Sequence, residues 1–363
     1  MRMLLPPARL TGDRWTEEWK RKDIEYMLRA MNAAVAGLRG HQQKLDVIGN
    51  NIANVNTVGY KSQSYTFKDT MYQTSTASTN GTDSAGGVNA AQYGYGSLMG
   101  TISMDMTGST ATYVGGFQAS IDGEGFFVTK VSKDPIDGLN AAGADDTNLV
   151  KGGDFDYTRV GNFRIDSNGY MVDGNGNFVY GFRRMADDSG DTLTKMEPIR
   201  VPSKVEVNQT GDVTITINDI DANTPQTAAN TALEAKNVKI NKAGNIEVTI
   251  QAEVTDAAGN KSMVSRTVTI GSVAVATFQN QEGLTKDGNG YYKASGRDNT
   301  GRCSVNVAGD GRGSLMPGYL EASNVDMAVE FSEMIMAERG FQANSKIITV
   351  SDEILSDLIN MKR

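Results

Sequence analysis

Two segments near the ends of the chain carry apolar residues at alternating intervals of three and four, and this restricts how everything between them can fold. Leu28, Met31, Val35, Leu38, Gln42, Leu45, Gly49 and Ile52 follow that interval near the start. Side chains spaced this way share one face of a helix and form a heptad seam. Ile48 and Val55 widen the stripe. The spacing predicts a helix over 28–54, about 40 Å long at 1.5 Å per residue. At the other end Met327, Phe331, Met334, Phe341, Ile348, Leu355 and Ile359 lie on one seam, and Ile347, Val350, Ile354, Leu358 and Met361 form an adjacent stripe. A second helix is predicted over 325–361, on the order of 55 Å long. Ser323 and Asp326 stand before it at capping-box spacing. Both stripes are wider than a single partner helix covers. Apolar surface left over in this way marks contact with other molecules. The plainer alternative is a helical hairpin in which the two stripes are simply core.

The middle of the chain is punctuated differently. Glycine numbers 40, and Asn-Gly or Asp-Gly pairs recur at 80–81, 168–169, 173–174, 175–176 and 289–290. Such pairs make tight hairpin turns. Between them, 157–166, 170–172 and 178–180 alternate as antiparallel strands do. Further strands are predicted at 213–217, 245–250 and 265–270, with a solvated loop over 221–231. The predicted fold class is α+β: long coiled-coil-like terminal helices enclose mainly antiparallel β domains. The expected division is a core helix over 27–56, an extended loop or hairpin connector over 57–100, and an inner β domain in two parts, 101–202 and 271–322. An outer β domain is inserted over 203–270, and a C-terminal core helix covers 323–363. Residues 1–26 stand apart. They hold both tryptophans, Trp15 and Trp19, with a charged run at 17–23, and they read as a misassigned start or a disordered extension. Met27 opens the helical pattern. Pro6 and Pro7 break the apolar start, and without a small-residue cleavage site it is not a secretory signal.

Several function classes are disfavoured. The formal net charge is -8 and no basic stretch offers a nucleic-acid footprint. Apolar runs such as 273–278 are too short to cross a bilayer as a helix. Cys303 is the single cysteine, so no internal disulfide forms, and a buried or idle thiol is expected. His41 is the single histidine and falls on the polar side of the predicted helix, where a solvated surface residue is expected. No Cys/His set has zinc spacing. The run 173–177, DGNGN, faintly resembles a calcium loop, but Phe178 replaces the required glycine, so a hairpin turn explains it better. Gly94, Tyr95 and Gly96 do not continue as a dinucleotide fingerprint, and there is no phosphate loop. No catalytic residue, cofactor or metal is expected.

The run LDVIGNNIANVNTVGYK at 45–61 resembles the N-terminal signature of flagellar rod and hook proteins. It contains Asn50, Asn51, Asn54, Gly59 and Lys61. Residues 320–326, with Leu320, Glu321, Ser323, Asn324, Val325 and Asp326, resemble the C-terminal signature, and AERGFQANS at 337–345 lies inside the helix that follows. GEGFFV at 123–128 and YTRVGNF at 157–163 are similar to the family's first β domain, with 276–278 and 282–284 as its return strand. The likeness spans nearly everything from Met27 onward and is weakest over 203–270.

This resemblance implies a subunit that stacks into a helical tube. The terminal helices would line an export channel, and the β domains would face outward. It implies export through the flagellar type III apparatus without a cleaved signal, and an extracellular place in the hook or basal body. The implied partners are further copies of the chain, the distal rod, the hook cap and the hook–filament junction, with neither nucleic acid nor stable membrane insertion. Within the family the inserted domain and the length point to the hook, with the distal rod as the alternative. A secreted β-rich adhesin and a carboxylate-based hydrolase are the readings from other classes.

Overall fold

A computed structural model describes residues 12–82, 86–133, 155–185, 192–201, 204–207, 231–255, 261–295, 297–308 and 313–360. They form two units, one drawing on 12–53, 63–104 and 325–360 and the other on 54–62 and 105–324.

The helical unit holds α1 (Gly12–Ala53), α2 (Met327–Asn360) and a long hairpin over 63–104. Helix α1 starts at Gly12, well before the predicted start at Leu28. Residues 12–26, read from sequence as part of a misassigned start or a disordered extension, are helical in the structure. No proline or glycine interrupts 13–36, and the Glu, Lys and Arg side chains there favour helix. Residues 1–11 of the same extension lie outside the described residues. Helix α2 begins on Asp326, whose Oδ1 accepts hydrogen bonds from the amides of Ala328 at 2.8 Å and Val329 at 3.3 Å. Asp326 is thus the N-cap itself rather than the far member of a box opened by Ser323. A carboxylate satisfies the orphan amides and suits the positive end of the helix. The Ser323 carbonyl instead accepts a hydrogen bond from the Ser109 hydroxyl at 3.0 Å.

The hairpin pairs β1 (Gln63–Asp69) with β4 (Ser97–Met104) and β2 (Tyr72–Thr76) with β3 (Ala91–Gly94), all antiparallel. The connector predicted over 57–100 as loop or hairpin is thus a hairpin, shifted a few residues.

In the β unit, β5 (Ala111–Tyr113) and β6 (Ala119–Asp122) pair with the last two strands, β21 (Tyr319–Glu321) and β20 (Ser314–Pro317). The main sheet holds β7 (Phe126–Lys130), β8 (Asp156–Thr158), β9 (Arg164–Ile165), β10 (Met171–Val172), β11 (Phe178–Met185) and β12 (Thr192–Pro198). It continues with β13 (Lys204–Val207), β14 (Thr231–Ile240), β15 (Asn245–Thr255), β16 (Lys261–Phe278), β17 (Thr285–Gly288), β18 (Tyr291–Lys293) and β19 (Cys303–Val307). Its path runs β13-β14-β15-β16-β11-β7-β8-β18-β17, with β19 also against β16. The boundary expected at residue 270 falls inside β16. That strand pairs with β15 over Lys261–Ser272 and then with β19 over Ala274–Phe278, so the sheet runs on through it. Residues 213–217 and 221–230, predicted as strand and loop, lie outside the described residues.

Three loops of this unit share one device. Asp166 Oδ1 accepts the amides of Asn168 and Tyr170, Asp173 Oδ1 those of Asn175 and Asn177, and Asn241 Oδ1 those of Ala243 and Asn245. In each the fourth residue is a glycine at positive φ: Gly169, Gly176 and Gly244. The turn reading of 173–177 is what the structure has. The core is aromatic, with Phe127 edge-on to Phe163 at 4.9 Å and Tyr157 edge-on to Phe278 at 4.9 Å.

Candidate assembly surfaces and the clasp of the β unit

The two helices run antiparallel, and the residues between them are small or polar. Asn51 Nδ2 donates to Glu330 Oε1 at 2.8 Å, Lys44 pairs with Glu333 at 3.2 Å, and the His41 ring lies on Gly340. A Cβ on Gly37 would stand 2.9 Å from Asn344 Nδ2. Ala34, Ile48 and Ala337 complete the buried line. On α1 this seam reads 34, 37, 41, 44, 48, 51, which is itself a heptad spacing. The apolar stripe predicted from sequence is therefore not the seam. With 3.6 residues per turn the one-residue offset places it roughly a quarter of a turn to one side. Leu28 and Val35 are exposed there, and Met31, Leu38, Leu45 and Ile52 are half-buried. Ile48 is the exception. It was predicted for the stripe, and it is buried in the seam. The opposite flank of α1 is covered by the hairpin: Gly96 packs on Ala33 and Ala36, and Phe67 on Gly40.

Helix α2 is apolar on both flanks of the seam. Met327, Phe331, Phe341 and Ile359 are exposed on one side, with Met334, Ile348 and Leu355 half-buried. On the other side Val329, Met336, Ile347, Val350 and Ile354 are exposed. Met361, predicted for that stripe, lies outside the described residues.

His41 is half-buried, contrary to the solvated place expected for it. Its ring centroid is 5.2 Å from that of Phe67, and Nδ1 is buried without a hydrogen-bond partner among the described residues. Gly340 makes room for the ring. Burial, and then the nearby Lys44 charge, hold its pKa below the ordinary value. Burial raises Glu330 above its ordinary value, against the opposing bond from Asn51.

The signature residues meet inside single units. Asn51 is buried and spends both ends of its amide on Gln63, accepting from its N–H at 3.0 Å and donating to its carbonyl at 2.8 Å, besides the bond to Glu330. Asn54 closes the turn after α1, accepting the Thr57 amide on its carbonyl and the Thr57 hydroxyl on its side chain, both at 3.0 Å. Asn50 is exposed, and Val325 half-buried.

Gly59 and Asn324 belong to a clasp in the β unit that sequence reasoning missed. Lys61 Nζ sits 2.9 Å from Glu321 Oε1 and donates to the Thr107 carbonyl at 2.6 Å. Arg159 reaches Glu321 Oε2 at 3.4 Å. All three side chains are 1–2 % exposed. Desolvation lowers the Lys61 pKa, and the pairing with Glu321 opposes it. The Gly59 amide donates to the Glu321 carbonyl at 2.9 Å, from a left-handed φ of 68°. Asn324 accepts the Ser62 amide at 2.7 Å and donates to the Asp105 carbonyl at 2.9 Å. Residues 54–62, 105–109 and 321–324 are the three stretches where the chain passes between units, and the clasp ties them together. Lys61 lies in the N-terminal signature and Glu321 in the C-terminal one. Their opposite charge was the available signal.

Among the described residues, antiparallel strands closed by a buried ion cluster accompany two long helices with uncovered apolar flanks, and the class of protein this matches is given by known relatives. Profiles of known families match in three places. Residues 31–61 match "Flagella basal body rod protein", 149–250 match "Flagellar hook protein FlgE/F/G D1 domain", and 316–361 match "Flagellar basal body rod FlgEFG protein C-terminal". A Bacillus subtilis protein described as flagellar basal-body rod protein FlgG is 34% identical over 338 residues, covering 93% of this chain and all of its own length. A Borreliella burgdorferi flagellar hook protein FlgE is 26% identical over 467 residues, covering 93% and 100%. A Caulobacter vibrioides rod protein FlgG is 27% identical over 332 residues, covering 90% and 97%. The chain belongs to the flagellar rod and hook protein family.

Proposed function

We propose that this chain polymerises into the tubular axis of a flagellum and that its segment of that axis is the hook. The observation that carries the polymeric reading is the placement of apolar side chains on α1 and α2. Their mutual seam is small and polar apart from Ile48, while Leu28, Val35, Phe331, Met336 and Ile347 face outward. Such flanks are covered when helices of neighbouring copies pack on them. Burial at roughly 25 cal/mol per Å² then offsets the cost of ordering each residue, about 1–2 kcal/mol. Helix α2, apolar on two sides, would take a neighbour on each. Partners at the ends of such a tube are the distal rod, the hook cap and the hook–filament junction. Export through the flagellar type III apparatus, to an extracellular site, suits a chain whose single cysteine, Cys303, forms no internal crosslink.

The long strands β14–β16 support the hook reading, because they enlarge the β unit. The distal rod is the second reading, favoured by the end-to-end match with a rod protein of Bacillus subtilis at 34% identity. Electron microscopy of a deletion strain separates them. Basal bodies that end at a complete rod are expected for a hook subunit, whereas bodies lacking the distal rod would assign the chain to the rod. The variant Leu28→Ser/Val35→Ser/Phe331→Ser is expected to stay monomeric at concentrations where the unaltered chain forms tubes. Tubes from that variant would remove the polymeric reading.

A further inference from the structure

In the β unit a cavity of about 590 Å³ lies between the turn that follows α1 and the loops at 173–175 and 286–292. Its walls mix polar side chains such as Asn54, Thr57 and Asn175 with the apolar or aromatic Val58, Val160 and Tyr292, and Lys286 is the one basic side chain among the described residues that line it. Lys286 Nζ donates to the Lys61 carbonyl at 2.8 Å and stands 4.2 Å from the Tyr60 ring centroid. No carboxylate among the described residues pairs with it. Asp173, the one acid in the wall, is engaged elsewhere. Its Oδ1 accepts two loop amides, and its Oδ2 accepts the Tyr291 hydroxyl. Burial brings the Lys286 pKa down to about 8, as for a cation short of both water and counter-ion.

We propose that this cavity receives an acidic side chain from a second copy of the chain, whose carboxylate pairs with Lys286. The inference rests on the polymeric reading above. Each copy carries 43 acidic and 35 basic residues, so copies packed side by side repel one another. A cation that no carboxylate among the described residues pairs with is a place where a neighbour's carboxylate relieves that repulsion. The cavity is in the size range that takes several side-chain groups.

The test uses the intact chain. Unlabelled and ¹⁵N-labelled copies are mixed, assembled, and treated with a water-soluble carbodiimide. This reagent joins an amine to a carboxylate in contact with it: the Lys286 Nζ forms an amide with the carboxyl carbon, and the carbodiimide takes up the lost water as a urea. Peptide mass spectrometry is expected to find Lys286 joined to an acidic peptide with mixed labels in the polymer and not in the monomer. Lys286→Glu is expected to raise the critical concentration for assembly on the order of tenfold. A polymer in which Lys286 forms no mixed-label link overturns the proposal alone, as does a Lys286 that acetic anhydride acetylates, with release of acetate, as readily in the polymer as in the monomer. A mixture that forms no polymer removes the polymeric reading and this one with it.

Discussion

In the β unit the largest side chains are the best hidden: Phe126, Phe127, Tyr157, Tyr180 and Phe182 are at most 1 % exposed. In the helical unit the large apolar side chains are the least hidden, with Phe331 at 46 %, Ile335 at 57 % and Met336 at 62 % exposed. The polar groups are arranged in reverse. The β unit seals one ion cluster away from water, and the helical unit lines its seam with Asn51, Lys44, His41 and Asn344. One unit is finished within a single chain. The other has a specified internal pairing but buries few apolar side chains among the described residues, Val47, Ile48, Tyr65 and Met104 being the larger of them. A polar seam fixes register and direction better than it stabilises, so the pairing is set while most of the driving force remains outside.

This contrast can be broken most forcefully at Glu321. Glu321→Gln leaves Lys61 and Arg159 buried without an anion and is expected to destabilise the β unit by about 3–5 kcal/mol. Urea unfolding followed by tyrosine near-ultraviolet dichroism measures it. The serine substitutions on the helix flanks should by comparison shift monomer stability by about 0.5 kcal/mol or less. Equal effects from the two would end the distinction between a finished and an unfinished unit.

A smaller effect is expected at Gly340. A β-branched side chain there meets the His41 ring, and Gly340→Val should cost about 1–3 kcal/mol. Loss of helical dichroism before loss of the tyrosine signal would place the damage in the helical unit. The smallest effect is that of pH. The folded pKa of His41 lies below its unfolded value, so the unfolded chain takes up the proton first. The stability linked to neutral His41 is therefore complete above the ordinary histidine range and declines as pH falls through it. His41→Leu should remove that part of the pH dependence of helix melting. An unchanged profile would show that His41 does not titrate in the seam.

The helices were legible in the sequence because their apolar spacing is long and regular. Their seam was not, although Ala34, Gly37, His41, Lys44, Ile48 and Asn51 repeat at the same interval. Small and polar side chains carry no hydropathy signal, and the neighbouring stripe outweighs them. The loops at 166–170 and 173–177 could be read from their Asp and Gly positions, because the hydrogen bonds that shape them span only a few residues. The clasp could not be read that way. It joins Lys61 to Glu321, 260 positions apart, and charged side chains are ordinarily solvated. The place of β16 was hidden for a related reason: a strand that changes partners midway keeps one continuous pattern, and residue 270 looked like an edge.

That same long span gives the clasp a consequence in time. Whichever end leads as a chain emerges from a ribosome or a conduit, residues 61 and 321 cannot meet until most of it is free. A product truncated before 321 lacks the carboxylate and holds only the two cations, which cannot be hidden together cheaply. Closure of the β unit therefore waits until residue 321 has joined residues 61 and 159.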